Sequence, residues 1–142
     1  MTTKNETDEL VAFFTEKGRN KDLVLYNCTS GYPVPFEDVC LLDINLLIEK
    51  YGDKVKHIGF FFFFLGIAVD MAAYTLGANI IERHYTIDRT LKGTDHAASL
   101  EPEGLRKLCR DVRAVHKALT FKSQDILPIE QVQRDKLKNQ KV

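Results

Sequence analysis

The sequence carries no net charge, since twenty basic residues balance twenty acidic ones. No global electrostatic field therefore draws the chain to nucleic acid or to an anionic membrane surface. Paired cysteines are also lacking, because Cys28, Cys40 and Cys109 are odd in number and form no CxxC motif for zinc or redox chemistry. The first ten residues are polar and acidic, unlike a signal peptide. These absences predict a cytoplasmic protein with no nucleic-acid partner.

Five consecutive phenylalanines at positions 60–64 extend an apolar run that begins at Ile58. A membrane span that continues to Ile81 fits the length alone. Asp70 lies near its centre, where an aspartate costs roughly 2.5 to 3.5 kcal/mol and each phenylalanine contributes only about −0.3 to −0.6 kcal/mol. The sequence therefore predicts no membrane span. A buried strand that long would pass the edge of the domain, so we expect an exposed apolar patch at 60–64.

Length and composition favour one globular domain, since the chain has 142 residues, of which 44% are hydrophobic and 28% charged. Helical spacing of apolar residues predicts a first helix over residues 7–17, with Thr7 as its N-cap. Three strand–loop–helix units follow. Their strands are predicted at 23–26, 55–59 and 79–86, and their helices at 43–51, 66–76 and 102–119, the last capped by Ser99.

A helix followed by three such units with short connections is typical of parallel α/β folds with right-handed crossovers. In these folds the loops after the carboxyl ends of the strands build the active site. Three strands leave two open edges and cannot close a barrel that needs eight. The sequence therefore predicts part of a larger sheet.

The polar stretch 79–96 is the candidate site. Period-two alternation places Glu82 and His84 on one face of the third strand, about 6.5 Å apart along it. The loop that follows contains further charged residues: Asp88, Arg89, Asp95 and His96. A simpler interpretation makes Glu82 and Arg83 solvated charges on an edge strand and His84 its cap. Arg89 is interpreted either as an anion ligand or as a partner of Asp88.

Three segments resemble the sialic acid synthase (N-acetylneuraminate synthase) family: NCTSGYPVPFEDV at 27–39, LGANIIERHYTIDRT at 76–90 and KGTDHAASLEPEGLRKL at 92–108. The resemblance implies the C-terminal portion of a TIM-type (β/α)8 barrel. The expected fold class is thus α/β, a partial barrel of about three parallel strand–helix units plus a preceding helix. Residues 1–122 would form this barrel part, and residues 123–142 a linker towards an absent antifreeze-like domain.

The family condenses phosphoenolpyruvate with N-acetylmannosamine or a related or phosphorylated sugar. By resemblance, His84 is a ligand of a divalent metal, manganese or magnesium, that polarises the aldehyde of the sugar. Ser30, Tyr32 and Asp95 would bind substrate, and Asp95 would contact the acceptor. Glu82, the second catalytic candidate with Asp95, would orient His84. A homodimer or a partner chain would complete the barrel, and the chain alone is expected to be inactive.

One departure from the family pattern lies in the phenylalanine run. Phe63 stands where the resemblance implies a second metal-binding histidine, and a phenyl ring has no lone pair to donate. The remaining groups would hold a metal weakly. Two functions therefore remain open: a metal-dependent synthase, and a non-catalytic fragment, scaffold or interaction subunit that has lost the metal site.

Overall fold

A three-stranded parallel sheet with helices packed on one face forms the centre of the computed structural model, which describes residues 1–31, 34–63 and 66–138. The strands are β1 (Val24–Asn27), β2 (His57–Phe61) and β3 (Ile80–Glu82). The α-helices are α1 (Lys4–Glu16), α2 (Asp43–Tyr51), α3 (Ala68–Thr75), α4 (Pro102–Ala118) and α5 (Pro128–Lys138). Short 3-10 helices cover Asn20–Asp22, Phe36–Val39 and His96–Ala98.

The strands lie in the order β1-β2-β3, and both pairs are parallel. The predicted alternation of strands and helices is thus confirmed, and α2 has the predicted bounds. In the central row of the register, Tyr26 lies opposite Gly59, which lies opposite Ile80. Because all strands run the same way, their carboxyl ends meet at one edge of the sheet.

The two faces of the sheet differ in burial. One face carries Leu25, Ile58 and Phe60, which are buried in a core shared with Ile44 of α2 and Ala73 of α3. The opposite face is more open, since Tyr26 and Glu82 are both exposed there. A barrel covers its inner face with the remaining strands. A sheet with one face covered by helices and the other face open is what a segment of a barrel would show.

The phenylalanine run is not an exposed patch, so that prediction was wrong for the residues that the structure describes. Phe60, Phe62 and Phe63 are buried, and Phe61 is partly buried. Phe60, in the central strand β2, and Phe62, just after it, belong to the hydrophobic core, and the ring of Phe63 packs against His84. Phe64 lies outside the described residues.

Among the described helices, none combines the length and apolar character needed to cross a membrane.

Two predicted helix caps were also wrong. The N-cap of α1 is Thr3, whose side chain and Glu6 form a capping box, and Thr7 lies inside the helix. The N-cap of α4 is Glu101, and the Ser99 hydroxyl donates instead to the backbone oxygen of Asp95 at 2.7 Å. The helix α5 lies in the segment predicted as a linker, and the boundary at residue 122 stays a prediction.

Candidate functional site

The imidazole of His84 and the carboxylate of Asp95 meet at the carboxyl edge of the sheet. Their Nδ1 and Oδ2 atoms are 3.7 Å apart, which is ion-pair distance for a protonated imidazole and too long for a hydrogen bond. The two side chains are 27% and 46% exposed, so both are open to a ligand. The structure thus brings together two of the predicted site residues from opposite ends of one loop.

The backbone after β3 explains this proximity. The strand is shorter than predicted and ends at Glu82, but Tyr85 forms an isolated parallel bridge with Leu100. The Leu100 N–H donates to the oxygen of His84 at 2.9 Å, and the Thr86 N–H donates to the oxygen of Leu100 at 3.0 Å. The end of the loop therefore returns alongside its start, which carries Asp95 back towards His84.

Side chains stabilise the same loop from within. Asp88 accepts hydrogen bonds from the backbone and hydroxyl of Thr90, and these bonds hold the pKa of Asp88 below its usual value. The Thr86 hydroxyl lies 2.8 Å from Nδ1 of His96. Arg89 donates through Nε to the oxygen of Ala97 at 2.9 Å. Of the two interpretations of Arg89, the pair with Asp88 is wrong, because the guanidinium donates to the backbone oxygen of Ala97 instead, and anion binding stays a prediction.

Two aromatic rings pack against the imidazole of His84. The ring of Phe61 stacks on the imidazole with 5.4 Å between centroids, and the ring of Phe63 meets it edge-on at 4.7 Å. A metal ion beside His84 would need donors with lone pairs, but the neighbouring position holds a phenyl ring. No group of three or more His, Cys, Asp and Glu residues suited to a metal ion occurs in the described part of the chain. The residues present do not fit a divalent metal.

Glu82 lies on the open face of the sheet beside Tyr26. Burial, followed by the charge of Glu82 and a hydrogen bond to it, raises the pKa of the Tyr26 hydroxyl above 10.0. Burial also raises the pKa of the nearby Cys28 thiol. Sequence reasoning missed Tyr26, although the alternation along β1 could have placed it on this face. The catalytic role of Glu82 stays a prediction.

Arg83, between Glu82 and His84 in the sequence, lies on the opposite face. Its Nη1 donates to Oδ2 of Asp70 at 2.5 Å, and the two side chains are 4% and 0% exposed. Burial raises the pKa of Asp70, and the charge of Arg83 opposes that rise. The interpretation of Arg83 as a solvated charge is thus wrong. The sequence analysis did not predict this pair. The available signal was that Asp70 and Arg83 are opposite charges, each next to an apolar segment.

The remaining predicted site residues lie on the loop after β1. Ser30 is exposed there, at the same edge of the sheet as His84. Tyr32 lies outside the described residues. Substrate binding by both residues stays a prediction.

The chain matches the NeuB family over residues 1–124. It is 42% identical over 121 residues to N-acetylneuraminate-9-phosphate synthase of Homo sapiens, which covers 85% of this chain and 33% of the relative. It is 35% identical over 120 residues to N,N'-diacetyllegionaminic acid synthase of Campylobacter jejuni, which covers 84% of this chain and 35% of the relative. The chain thus spans about a third of the length of these relatives.

A solved structure shows the same arrangement. The N-acetylneuraminic acid (sialic acid) synthetase of Leptospira borgpetersenii, crystallised with citrate, superposes with a TM-score of 0.79 at 32% identity. The match covers 98% of this chain and 48% of that one. The predicted partial TIM-type barrel is therefore confirmed, and the chain belongs to the NeuB family.

Proposed function

We propose that the protein acts in a nonulosonic acid synthase reaction, in which phosphoenolpyruvate condenses with an N-acetylated amino sugar. Relatives named as synthases of N-acetylneuraminate 9-phosphate and N,N'-diacetyllegionaminic acid support this class of product. The observation that carries the proposal is the approach of His84 to Asp95 at the carboxyl edge of the parallel sheet. That edge is where α/β folds place their active sites.

The geometry suggests how these residues would act on the acceptor. With Nδ1 of His84 turned towards Asp95, the Nε2 atom is the one available for the aldehyde oxygen of the sugar. That oxygen takes up a proton when the C3 carbon of phosphoenolpyruvate attacks the aldehyde carbon; the C2=C3 bond is consumed, water adds at C2 with loss of a proton, and phosphate then leaves. The exposed oxygens of Asp95 would accept hydrogen bonds from sugar hydroxyls. Glu82, on the same face, would add negative charge beside Tyr26.

Complete activity would need the rest of a barrel. In the described sheet, β1 and β3 each pair with one neighbour only, and the open face carries Glu82. A homodimer or a partner chain would supply the missing strands. The exposed free thiols of Cys28, Cys40 and Cys109 support the cytoplasm as the compartment, because disulfides rarely form there.

Phosphate release from phosphoenolpyruvate, with N-acetylmannosamine or its phosphorylated form as acceptor, tests the proposal. We expect sugar-dependent release, and a decrease of at least about a hundredfold in kcat/KM for Asp95→Asn. The matched control is Asp53→Asn, because Asp53 is an exposed aspartate before β2, away from the carboxyl edge. Equal activity of both variants would contradict a role for Asp95.

A second candidate is a non-catalytic scaffold or interaction subunit, and the ring of Phe63 beside His84 favours it. On either proposal the chain holds manganese or magnesium weakly, because a phenyl ring replaces a donor. Titration calorimetry with manganese should detect no tight binding by the folded chain. A folded chain that releases no phosphate with either acceptor, even when a second chain supplies the remaining strands of the barrel, would overturn the synthase proposal and support the scaffold. Sugar-dependent turnover would exclude the scaffold.

A further inference from the structure

Behind the candidate site, a buried ion pair connects two strand–helix units. Arg83 follows β3, and its Nη1 contacts Oδ2 of Asp70 in the first turn of α3 at 2.5 Å. The same nitrogen donates to the backbone oxygen of Gly66 at 3.0 Å. Gly66 has a φ of +97°, a conformation that favours glycine, and it lies in the connection between β2 and α3. One guanidinium therefore holds the end of β3 to both the connection and the helix.

The stability of the fold alone does not account for this arrangement. Both side chains are almost completely removed from water, and desolvating two charges usually offsets most of their attraction. Within the described residues, Oδ1 of Asp70 is buried without a hydrogen-bond partner, so the carboxylate is incompletely satisfied. A pair of apolar side chains of similar volume would stabilise the same contact at least as well. The pair is therefore better explained by the geometry that it imposes.

That geometry acts directly on the candidate site. Alternation along the chain places Arg83 on the helix-covered face and its neighbours Glu82 and His84 towards the open face. The connection that Arg83 contacts through Gly66 begins just after β2, and it carries Phe63 against the imidazole of His84 at 4.7 Å. Phe63 thus lies three residues before Gly66, which accepts a hydrogen bond from the guanidinium, and His84 lies next to Arg83 in the sequence.

We propose that Arg83 is a positioning residue, which, through its bonds to Asp70 and Gly66, fixes the His84 imidazole between the rings of Phe61 and Phe63. The orientation of His84 set in this way turns its Nδ1 towards Asp95. This inference rests on the proposed function only for its consequence in catalysis. The positioning itself is a property of the chain and is measured without substrate.

Proton NMR of the imidazole rings tests the positioning directly. The chain has four histidines, and the resonance that disappears in His84→Gln identifies the ring of interest. In the wild-type chain, the neighbouring phenyl rings should displace that resonance from the position of an exposed histidine. The test variant combines Arg83→Met with Asp70→Leu, which removes both buried charges together and so preserves the fold. We expect the displacement of the His84 resonance to be lost.

The matched control is Lys50→Met, which removes an ion pair with Asp8 whose side chains are 49% and 45% exposed. It should leave the His84 resonance in place. If the double variant does not fold, Arg83→Lys serves instead, because it keeps the charge and loses the planar fork of donors. The proposal would be overturned if the His84 resonance is unchanged in a folded double variant. If only Arg83→Lys folds, an unchanged resonance in that variant would overturn it.

Activity gives the second measurement and separates the two proposals. If the protein condenses its substrates, kcat of the folded double variant should be about a hundredfold lower than that of the wild-type chain. A small misplacement of a reacting group reduces the rate by about this factor. A shifted His84 resonance in a chain that stays inactive with the remaining barrel strands supplied would support the positioning and contradict only the synthase reaction. Full activity with an unchanged resonance would contradict the positioning and leave the synthase proposal intact.

Discussion

The ring of Phe63 meets the imidazole of His84 edge-on, with 4.7 Å between their centroids and 79° between their planes. This contact fills the space beside the histidine with carbon atoms. Asp95 contributes a charged group beside the imidazole, with its Oδ2 at 3.7 Å from Nδ1 of His84. We therefore expect the side chain at position 63 to influence strongly whether the carboxyl edge of this sheet can hold a cation.

Replacing Phe63 with histidine should create a metal site. The new imidazole would add a third donor to His84 and Asp95, and three protein ligands are the usual set of an open metal site. We expect manganese to bind at least about tenfold more tightly than to the wild-type chain, a difference of about 1.4 kcal/mol. Titration calorimetry measures this difference.

The control for that substitution combines Phe63→His with His84→Ala, and the gain in affinity should disappear in it. Equal manganese affinity of Phe63→His and the wild-type chain would show that position 63 does not converge with His84 on one ion.

Helix α1 offers a test of its observed N-cap. The Thr3 side chain accepts a hydrogen bond from the Glu6 backbone N–H at 3.2 Å, and the Thr3 backbone N–H donates to the Glu6 carboxylate at 2.7 Å. Thr3→Ala should lower the free energy of unfolding by about 1 kcal/mol. Thr7→Ala is the control, because the Thr7 hydroxyl donates only to the oxygen of Thr3 within the helix. Thermal unfolding that finds Thr7→Ala the more destabilising would contradict the assignment.

Sequence patterns predicted the parallel order of strands and helices because hydrophobic periodicity is a local property of the chain. The helix α2 was predicted at its observed bounds for that reason. The approach of Asp95 to His84 was predicted only through the resemblance to a family. The burial of Phe60 was not predicted, because it depends on β2 pairing with both β1 and β3. Such pairing joins residues far apart in the sequence. The pairing of Arg83 with Asp70 depends on the same tertiary contact.

A pH-dependent contribution to stability should come from Asp8, which joins α1 to α2. Its carboxylate accepts from Lys50 at 2.6 Å and from the Tyr51 hydroxyl at 2.7 Å, and these bonds lower the pKa of Asp8 below its usual 3.8. Since the folded pKa is depressed, the stabilisation is present above pH 3.8 and is lost as the pH falls through the lower folded value.

The melting temperature of Asp8→Asn, followed against pH, tests this contribution. The variant should melt below the wild-type chain near neutral pH, and the two curves should converge in acid. Lys17→Met serves as a control, because Lys17 pairs with the adjacent Glu16 on the surface. A constant difference between wild type and Asp8→Asn at every pH would contradict the assignment.

The open face of the sheet depends on Gly59, which lies opposite Tyr26 in the register. A Cβ atom at position 59 would lie 2.6 Å from Cε1 of Tyr26, so Gly59→Ala must displace the phenol ring. Overpacking of this kind typically destabilises by about 1 to 3 kcal/mol. Because burial and Glu82 raise the pKa of the Tyr26 hydroxyl, displacement should lower that pKa towards 10.0.

Spectrophotometric titration of the tyrosines checks the displacement. Tyr26→Phe identifies the contribution of Tyr26, because it removes one of the five phenols in the chain. A difference titration between Gly59→Ala and the double variant Gly59→Ala, Tyr26→Phe then isolates the displaced ring. If that ring titrates at the same pH as in the wild-type chain, Tyr26 does not occupy the space above Gly59. Its contact with Glu82 would then not depend on the missing side chain at position 59.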